Sequence, residues 1–268
     1  MSLPRLECAT HIADHDLRDD SRHQAQLAED YYHQDAKLFE VERAAWLRFN
    51  IDPGLHSAVS FDARSELKHK VVRFLDCCRE VEANVSQPVE TLARFGLRSP
   101  LRESAFGNLT LGRSELCRAI LDNSNAQGRE STLQSSSEHL NVSVEEFRRA
   151  GHVVELSFGL LTRAWLRLLT GKPSGPESAQ ADLDEAWEIA ERGPMKLFLA
   201  DIHLYRARLF FRERPYPWRQ NPDGTPRGPA DDLAAARTLI QQCGYWRRKD
   251  ELEDAEAIIL HKPPGGVS

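Results

Sequence analysis

Some residues in this chain have types and spacings that could do chemistry, beginning with a histidine pair near the N-terminus. His11 and His15 are four residues apart, a spacing that lets two imidazoles on one helical turn bind the same metal ion. A metal site also needs a surrounding shell that holds its ligands rigid, and the polar sequence around this pair has little apolar pattern. The sequence therefore favours a solvated N-terminal segment, and we expect no metal and no other cofactor.

A second group, Asp201, His203 and Arg206, resembles an acid–base set in the linear sequence. Successive residues of a helix are rotated by about 100°, so Asp201 and His203 should point in opposite directions. His203 also occupies a repeated apolar position at which its counterpart is Leu160. We therefore expect a packed, hydrogen-bonded histidine. No sequence motif of a nucleophilic hydrolase, a zinc peptidase or a dinucleotide-dependent enzyme occurs, and we expect no catalytic residues.

Arginines form the third group. Arg163 and Arg206 hold the same position in a repeated pattern, so their guanidinium groups could lie side by side and clamp carboxylates or phosphates. We expect a groove that binds an acidic protein or peptide, and its candidate residues are Arg163, Arg167, Tyr205, Arg206 and Arg208. The alternative is pairing within the chain, with Glu185, Glu188, Asp201 and Asp231 as partners.

Two aromatic segments offer further surfaces. The proline-rich stretch "RPYPWRQNPDGTPRGP" contains Tyr216 and Trp218, which could insert into an aromatic-lined groove of a partner. The alternative, which the sequence favours, is that both rings fold back over a gap between helices. The stretch "GYWRRK" mixes basic and aromatic residues as nucleic-acid-binding segments do, but the acidic run "DELEDAE" follows it. A nucleic-acid partner is therefore not expected.

Composition limits the class of protein. The 268 residues are 41% hydrophobic and 28% charged with a net charge of −6, which is typical of a folded, helix-rich chain. No apolar run reaches the roughly 18–20 residues that span a bilayer, and the N-terminus does not resemble a secretory signal. The five cysteines include no Cys-x-x-Cys pair and suit free thiols. We expect a cytoplasmic protein without membrane contact.

The elements that would position these residues begin with two amphipathic helices. Their apolar positions recur at steps of three and four and should pack as an antiparallel hairpin, which could also form a homodimer. The first stripe is Leu27, Tyr31, Gln34, Leu38, Val41 and Ala45, and the second is Leu67, Val71, Phe74, Cys78, Val81 and Val85. A short separate helix is predicted between Pro88 and Pro100. We assign residues 1–87 to a polar lead and this hairpin.

Three helix pairs follow, and each first helix has an apolar–small–apolar signature. The first helices are "NLTLGRSELCRAI", "GLLTRAWLRLLTG" and "IHLYRARLFFRER", and the second helices end at Gly151, Gly193 and Gly244. Polar or proline-rich loops are predicted within each pair, the first being "LDNSNAQGRESTLQSSS". A charged helix, "RRKDELEDAEAIILH", should cap the array. These repeats occupy residues 88–261, and residues 262–268 form a flexible tail.

The pairs Leu183-x-x-Ala186 and Leu204-x-x-Ala207 resemble the contact positions of tetratricopeptide (TPR) repeats, and the resemblance covers Leu101 to Ile259. Several segments also resemble the C-terminal repeat region of large bacterial signalling NTPase/TPR proteins, although no GxxxxGK[ST] loop is present. The resemblance implies an all-α fold with a right-handed solenoid of about three helix pairs, whose first helices line a concave face. It implies a non-catalytic scaffold that binds a protein segment there. The alternative is a regulatory sensor that binds a small anionic ligand on the same arginines.

Overall fold

The computed structural model describes residues 30, 33–34, 36–50, 61–95, 101–122, 126–220 and 224–260; within 61–95, side chains are described for 70–86 and 89. These residues form helices and no β-strand, apart from one isolated bridge between Gln220 and Pro226. The predicted all-α class is therefore confirmed. His11, His15, Leu27, Tyr31 and the tail lie outside the described residues.

The helices follow one another along the chain. The first, α1, runs through residues 36–50. The others are α2 (Phe61–Phe95), α3 (Leu101–Leu121), α4 (Ala126–Ala150), α5 (Val153–Leu169), α6 (Ala179–Arg192), α7 (Lys196–Phe210), α8 (Pro229–Cys243) and α9 (Lys249–Ile259), with a 3₁₀ turn at Trp246–Arg248 before α9. No helix in this part of the chain is both long enough and apolar enough to cross a membrane.

Helix α2 is longer than predicted. It passes through Pro88, so the expected separate helix between Pro88 and Pro100 is wrong. A proline inside a helix removes one backbone hydrogen bond and costs about 3 kcal/mol. Here the apolar stripe continues on both sides of the proline, because Val85 and Val89 are both buried. Tertiary packing thus outweighs the local preference of the proline to end a helix.

Helix α4 also begins earlier than predicted. The polar stretch "LDNSNAQGRESTLQSSS" was expected to be a loop, but α4 starts at Ala126 and includes most of it. The hydroxyl of Ser136 is fully buried and donates to the Gly112 carbonyl of α3 at 2.7 Å, while Thr132 donates to the carbonyl of Gly128. Small hydroxyl side chains therefore serve here as packing residues, a role that a hydropathy pattern does not reveal.

The small residues of the repeat signature lie where helices approach most closely. A Cβ atom added to Gly112 would lie 2.6 Å from Cγ of Leu140, so the Leu140 side chain of α4 packs directly against the backbone of α3 at this point. Ala164 in α5, Ala186 in α6 and Ala207 in α7 are likewise completely buried. The role predicted for these small residues is confirmed.

Consecutive helices from α2 to α9 pack on one another, and each odd-numbered helix from α3 to α9 also contacts the next odd-numbered one. The stripe residues Cys78, Val81 and Val85 of α2 are buried within the single chain, and the Cys78 carbonyl accepts a hydrogen bond from Ser114 of α3. The row of odd-numbered helices provides the surface on which α1 lies. This placement of α1 decides which surfaces remain open.

Candidate binding surfaces

Helix α1 packs across α3, α7 and α9, and Trp46 is its central anchor. The indole is 1% exposed, and its Nε1 donates to the Arg208 carbonyl of α7 at 3.2 Å. The guanidinium of Arg208 lies over the same ring, 4.6 Å from its centroid. The surface of α3, α7 and α9 that contacts α1 is called the α1-docking face below.

A buried ion cluster lies at this face. It contains three carboxylates and three guanidinium groups, so its formal charges balance: Glu42, Asp201, Glu251, Arg113, Arg208 and Arg248. Glu42 of α1 accepts from Arg113 of α3 at 2.8 Å, and Glu251 of α9 accepts from Arg208 of α7 at 3.0 Å. Arg248 donates to both Asp201 and Glu251. The cluster therefore ties α1 and three other helices together.

The ionisation of Glu42 depends on this cluster. Burial alone would raise the pKa of Glu42, but the charge and hydrogen bond of Arg113, helped by Arg248 and Arg208, lower it below its ordinary value. At the rim of the face, Arg43 donates to Asp254 at 2.5 Å and to Asp250 at 3.0 Å. Two neighbouring residues of α1 thus form ion pairs with different helices, one pair buried and the other partly exposed.

Two of the predicted groove residues lie beneath α1. Arg208 contacts Trp46 and Glu251, and Tyr205, one turn earlier on α7, is buried beside it. Burial raises the pKa of Tyr205 far above its ordinary value. These side chains line the row of odd-numbered helices as expected, but they contact a helix of the same chain.

Arg163 and Arg167 converge on one carboxylate of α6. Arg163 donates to Asp182 through Nε at 3.1 Å and Nη2 at 2.6 Å, and Arg167 donates to it through Nη1 at 2.9 Å. Burial raises the pKa of Asp182, and the two guanidinium groups act against that rise. The three side chains line an open, strongly polar cleft of about 510 Å³, called the Asp182 cleft. Its charges are largely paired within the chain.

Arg206 lies in a different cleft, on the other flank of α6. Its guanidinium stacks between two indole rings, 4.4 Å from the centroid of Trp187 and 4.5 Å from that of Trp218. Asp184 accepts from Trp218 Nε1 at 2.6 Å and from Arg206 Nη2 at 3.4 Å. The surrounding cavity of about 910 Å³ is called the Trp–Arg cleft.

The predicted ladder of Arg163 and Arg206 is therefore wrong, because the two guanidinium groups line separate clefts. α6 contributes Asp182 to one cleft and Asp184 to the other, and each arginine binds the carboxylate on its own side. Neither carboxylate is among the partners expected from the sequence. The same repeat position thus places the two guanidinium groups in separate environments.

His203 belongs to a buried polar network behind the Trp–Arg cleft. Its Nδ1 is 2.6 Å from Asp232 of α8, which also accepts from the Tyr216 hydroxyl at 2.5 Å and from Arg227. Burial lowers the pKa of His203, so the ring is neutral near pH 7. Asp201 pairs with Arg248 instead, so these two side chains face different helices as predicted. His203 is packed and hydrogen-bonded, as expected.

The loop between α7 and α8 folds back on the helices. Tyr216 is buried against Asp232, and Trp218 packs edge-on against Phe210 and Tyr216. Two features were not predicted from the sequence. One is Trp187, the second ring that stacks on Arg206. The other is the Glu42–Arg113 pair, whose members are 71 residues apart in the chain. Arg248 of "GYWRRK" is buried in the ion cluster.

Compared with models of protein families, with curated proteins and with solved structures, the chain matches none. The assignment of a function therefore depends on the geometry of these surfaces. In the described part of the chain, no three histidine, cysteine, aspartate or glutamate side chains are grouped so that they could hold a metal ion.

Proposed function

We propose that this chain is a non-catalytic, TPR-like scaffold that binds a helix of a partner protein on the α1-docking face. The observation that carries the proposal is that this face already holds an amphipathic helix, α1. Binding of a helix in a groove is a recurrent mode of protein recognition, with anchors one and two turns apart. In the proposal, α1 occupies the site until a partner helix replaces it.

The contacts of α1 define the partner that this face would accept. Phe39, Glu42 and Trp46 face α3, α7 and α9 at i, i+3 and i+7, with Arg43 at the rim. A partner helix would need an aromatic residue over Arg208 and a carboxylate opposite Arg113. Aromatic and arginine anchors in desolvated positions carry most of the free energy of such interfaces. The sequence led us to expect an acidic partner. The contacts of α1 instead call for a partner helix that has one carboxylate at this position and carries both acidic and basic residues.

Three further observations support a scaffold of this kind over an enzyme. The helix pairs follow the order expected of TPR-like repeats, with small residues at the close approaches. His203, the histidine of the acid–base set considered in the sequence, is buried, and it and Tyr216 are both hydrogen-bonded to the buried Asp232. The resemblance of the sequence to repeat regions of bacterial signalling proteins is the reason that we propose a regulatory role for the scaffold.

The test is competition between α1 and the same helix supplied in trans. A labelled peptide of residues 36–50 is titrated into the full chain and into the full chain carrying Glu42→Gln, and binding is followed by fluorescence anisotropy. Tethered α1 competes at a high effective concentration in the wild type, so the peptide should bind it weakly. In Glu42→Gln, the tethered helix loses its ion pair with Arg113, which the wild-type peptide can restore, and the peptide should bind about 10- to 100-fold more tightly.

Matched variants identify the contact responsible. A peptide that itself carries Glu42→Gln should not bind the Glu42→Gln chain more tightly than the wild-type chain. Adding Arg113→Gln to the Glu42→Gln chain should likewise abolish the tighter binding of the wild-type peptide. Arg79→Gln, in an exposed pair with Asp76 on α2, is the control that should change nothing. Equal binding to the wild type and to a folded Glu42→Gln chain, with folding checked by circular dichroism, would contradict the proposal.

A further inference from the structure

The Trp–Arg cleft contains a cation whose hydrogen-bond donors are mostly unused. Arg206 is 4% exposed and is fixed between two indole rings. Among the described residues, its one hydrogen bond runs from Nη2 to Asp184 at 3.4 Å, and its buried Nε has no partner. Burial lowers the pKa of Arg206, which reflects the cost of keeping this charge away from water. An anion beside the guanidinium would offset that cost.

The charges that line the cleft limit which anion fits. Arg206, Arg219 and Arg227 face Asp184 and Glu188, so the lining is close to neutral. Arg227 is also paired with the buried Asp232. A polyphosphate would be repelled by the two acidic side chains, whereas a single carboxylate would add one negative charge beside Arg206, the buried arginine of the lining, whose one hydrogen bond among the described residues is to Asp184.

The cleft also offers apolar surface next to this cation. The two indole rings and Pro217 line the same cavity, whose volume of about 910 Å³ lies within the range of small-molecule sites. The rings are only partly buried, so part of each faces the cavity. A ligand that fits both features has an acidic end and an apolar body.

We propose that the Trp–Arg cleft binds a carboxylate attached to an apolar body, with Arg206 as its main hydrogen-bond donor. The indole rings hold the guanidinium plane in place, and the N–H groups that have no acceptor in the described part of the chain would donate to the ligand. A free organic acid and the acidic or C-terminal residue of a peptide both offer this chemistry. The site stands apart from the helix-binding proposal, because α6, α7 and the loop between α7 and α8 supply its residues, whereas the α1-docking face is formed by α3, α7 and α9.

The test uses two pairs of probes that differ only in the carboxylate. N-acetyl-phenylalanine and its amide form the first pair, and blocked Phe-Glu and Phe-Gln dipeptides form the second. Isothermal titration at millimolar probe concentration should give at least about 10-fold tighter binding for the acid of a pair than for its neutral partner. Binding in the first pair indicates a free acid or a chain terminus, and binding in the second pair indicates an acidic side chain.

Variants separate binding from folding. Arg206→Met should weaken binding of the acid to the level of the amide, and Arg237→Met, whose partner is Glu256 on α9, should leave binding unchanged. Glu188→Gln removes a negative charge from the rim and should tighten binding about two- to fivefold, even if Arg206→Met fails to fold. The proposal is overturned if neither acid binds, if acid and amide bind equally, or if Glu188→Gln weakens binding.

Discussion

Glu115 on α3 is a buried carboxylate that lacks a cationic hydrogen-bond partner. Its Oε1 accepts from Ser135 at 2.7 Å, and its buried Oε2 has no hydrogen-bond partner in the part of the chain that the structure describes. Burial raises the pKa of Glu115 to about 7, whereas Glu42, opposite Arg113, has a lowered pKa. Folding thus shifts the pKa values of these two buried glutamates in opposite directions.

The raised pKa of Glu115 predicts a stabilising substitution. In the unfolded chain this carboxyl ionises near pH 4.5, and burial raises its pKa to about 7 in the folded chain, so the free energy of unfolding falls as pH rises between these values. Glu115→Gln should therefore increase the free energy of unfolding by about 1–3 kcal/mol at pH 8 and by little at pH 4.5. Urea unfolding at both pH values measures this difference.

The control for Glu115→Gln is Glu130→Gln, on the exposed part of α4. It should leave the free energy of unfolding nearly unchanged at either pH. A gain for Glu115→Gln that is the same at pH 4.5 and pH 8 would contradict a role of ionisation.

At the scale of the helices, the contact of α3 with α4 depends on Gly112. A methyl group there would lie 2.6 Å from Cγ and 2.8 Å from Cδ2 of Leu140, which is itself fully buried. Gly112→Ala should lower the free energy of unfolding by about 1–3 kcal/mol despite the higher helix propensity of alanine. Thermal or urea unfolding measures the loss.

The same substitution at an exposed glycine isolates the packing effect. Gly128→Ala, near the start of α4, should be neutral or stabilising by up to about 1 kcal/mol, because only helix propensity changes. If Gly112→Ala were as stable as Gly128→Ala, the close approach of α3 and α4 would not limit the side chain at this position.

Helices and their buried faces were largely predictable, because they depend on spacing within one segment. Leu38, Val41 and Ala45 lie on the buried side of α1, and the paired helices α5 to α8 occur where the repeats place them. Helix ends were less predictable. From the local sequence, Pro88 predicts the end of a helix and the serine-rich start of α4 predicts a loop. Both segments are helical because they pack against neighbouring helices.

The candidate sites were less predictable than the helices, because their partners are distant in the chain. Arg206 was identified by its repeat position, but its stack needs Trp187 from α6 and Trp218 from the loop after α7. Arg208 was assigned to an open groove, and α1 covers it. Spacing indicates which face of a helix is buried, but it carries no information about which segment lies on that face.

At the scale of the molecule, α1 is held mainly by long-range contacts. Its anchors reach α3, α7 and α9 across 71, 162 and 211 residues of chain. The balanced ion cluster favours a helix that carries a carboxylate opposite Arg113, because a helix without one would lose the buried ion pair that Glu42 forms there. The central claim is that this docking is reversible while the remaining helices stay folded.

Native-state hydrogen exchange tests that claim most directly. The backbone amides of residues 36–50 should exchange through a local opening that is insensitive to low denaturant and has a lower free energy than the opening of α3 to α8. Glu42→Gln should lower that free energy further without changing the exchange of α5 and α6. If the amides of α1 exchange only in the same global step as those of α3, the helix is a fixed part of the core and the proposed exchange with a partner helix is wrong.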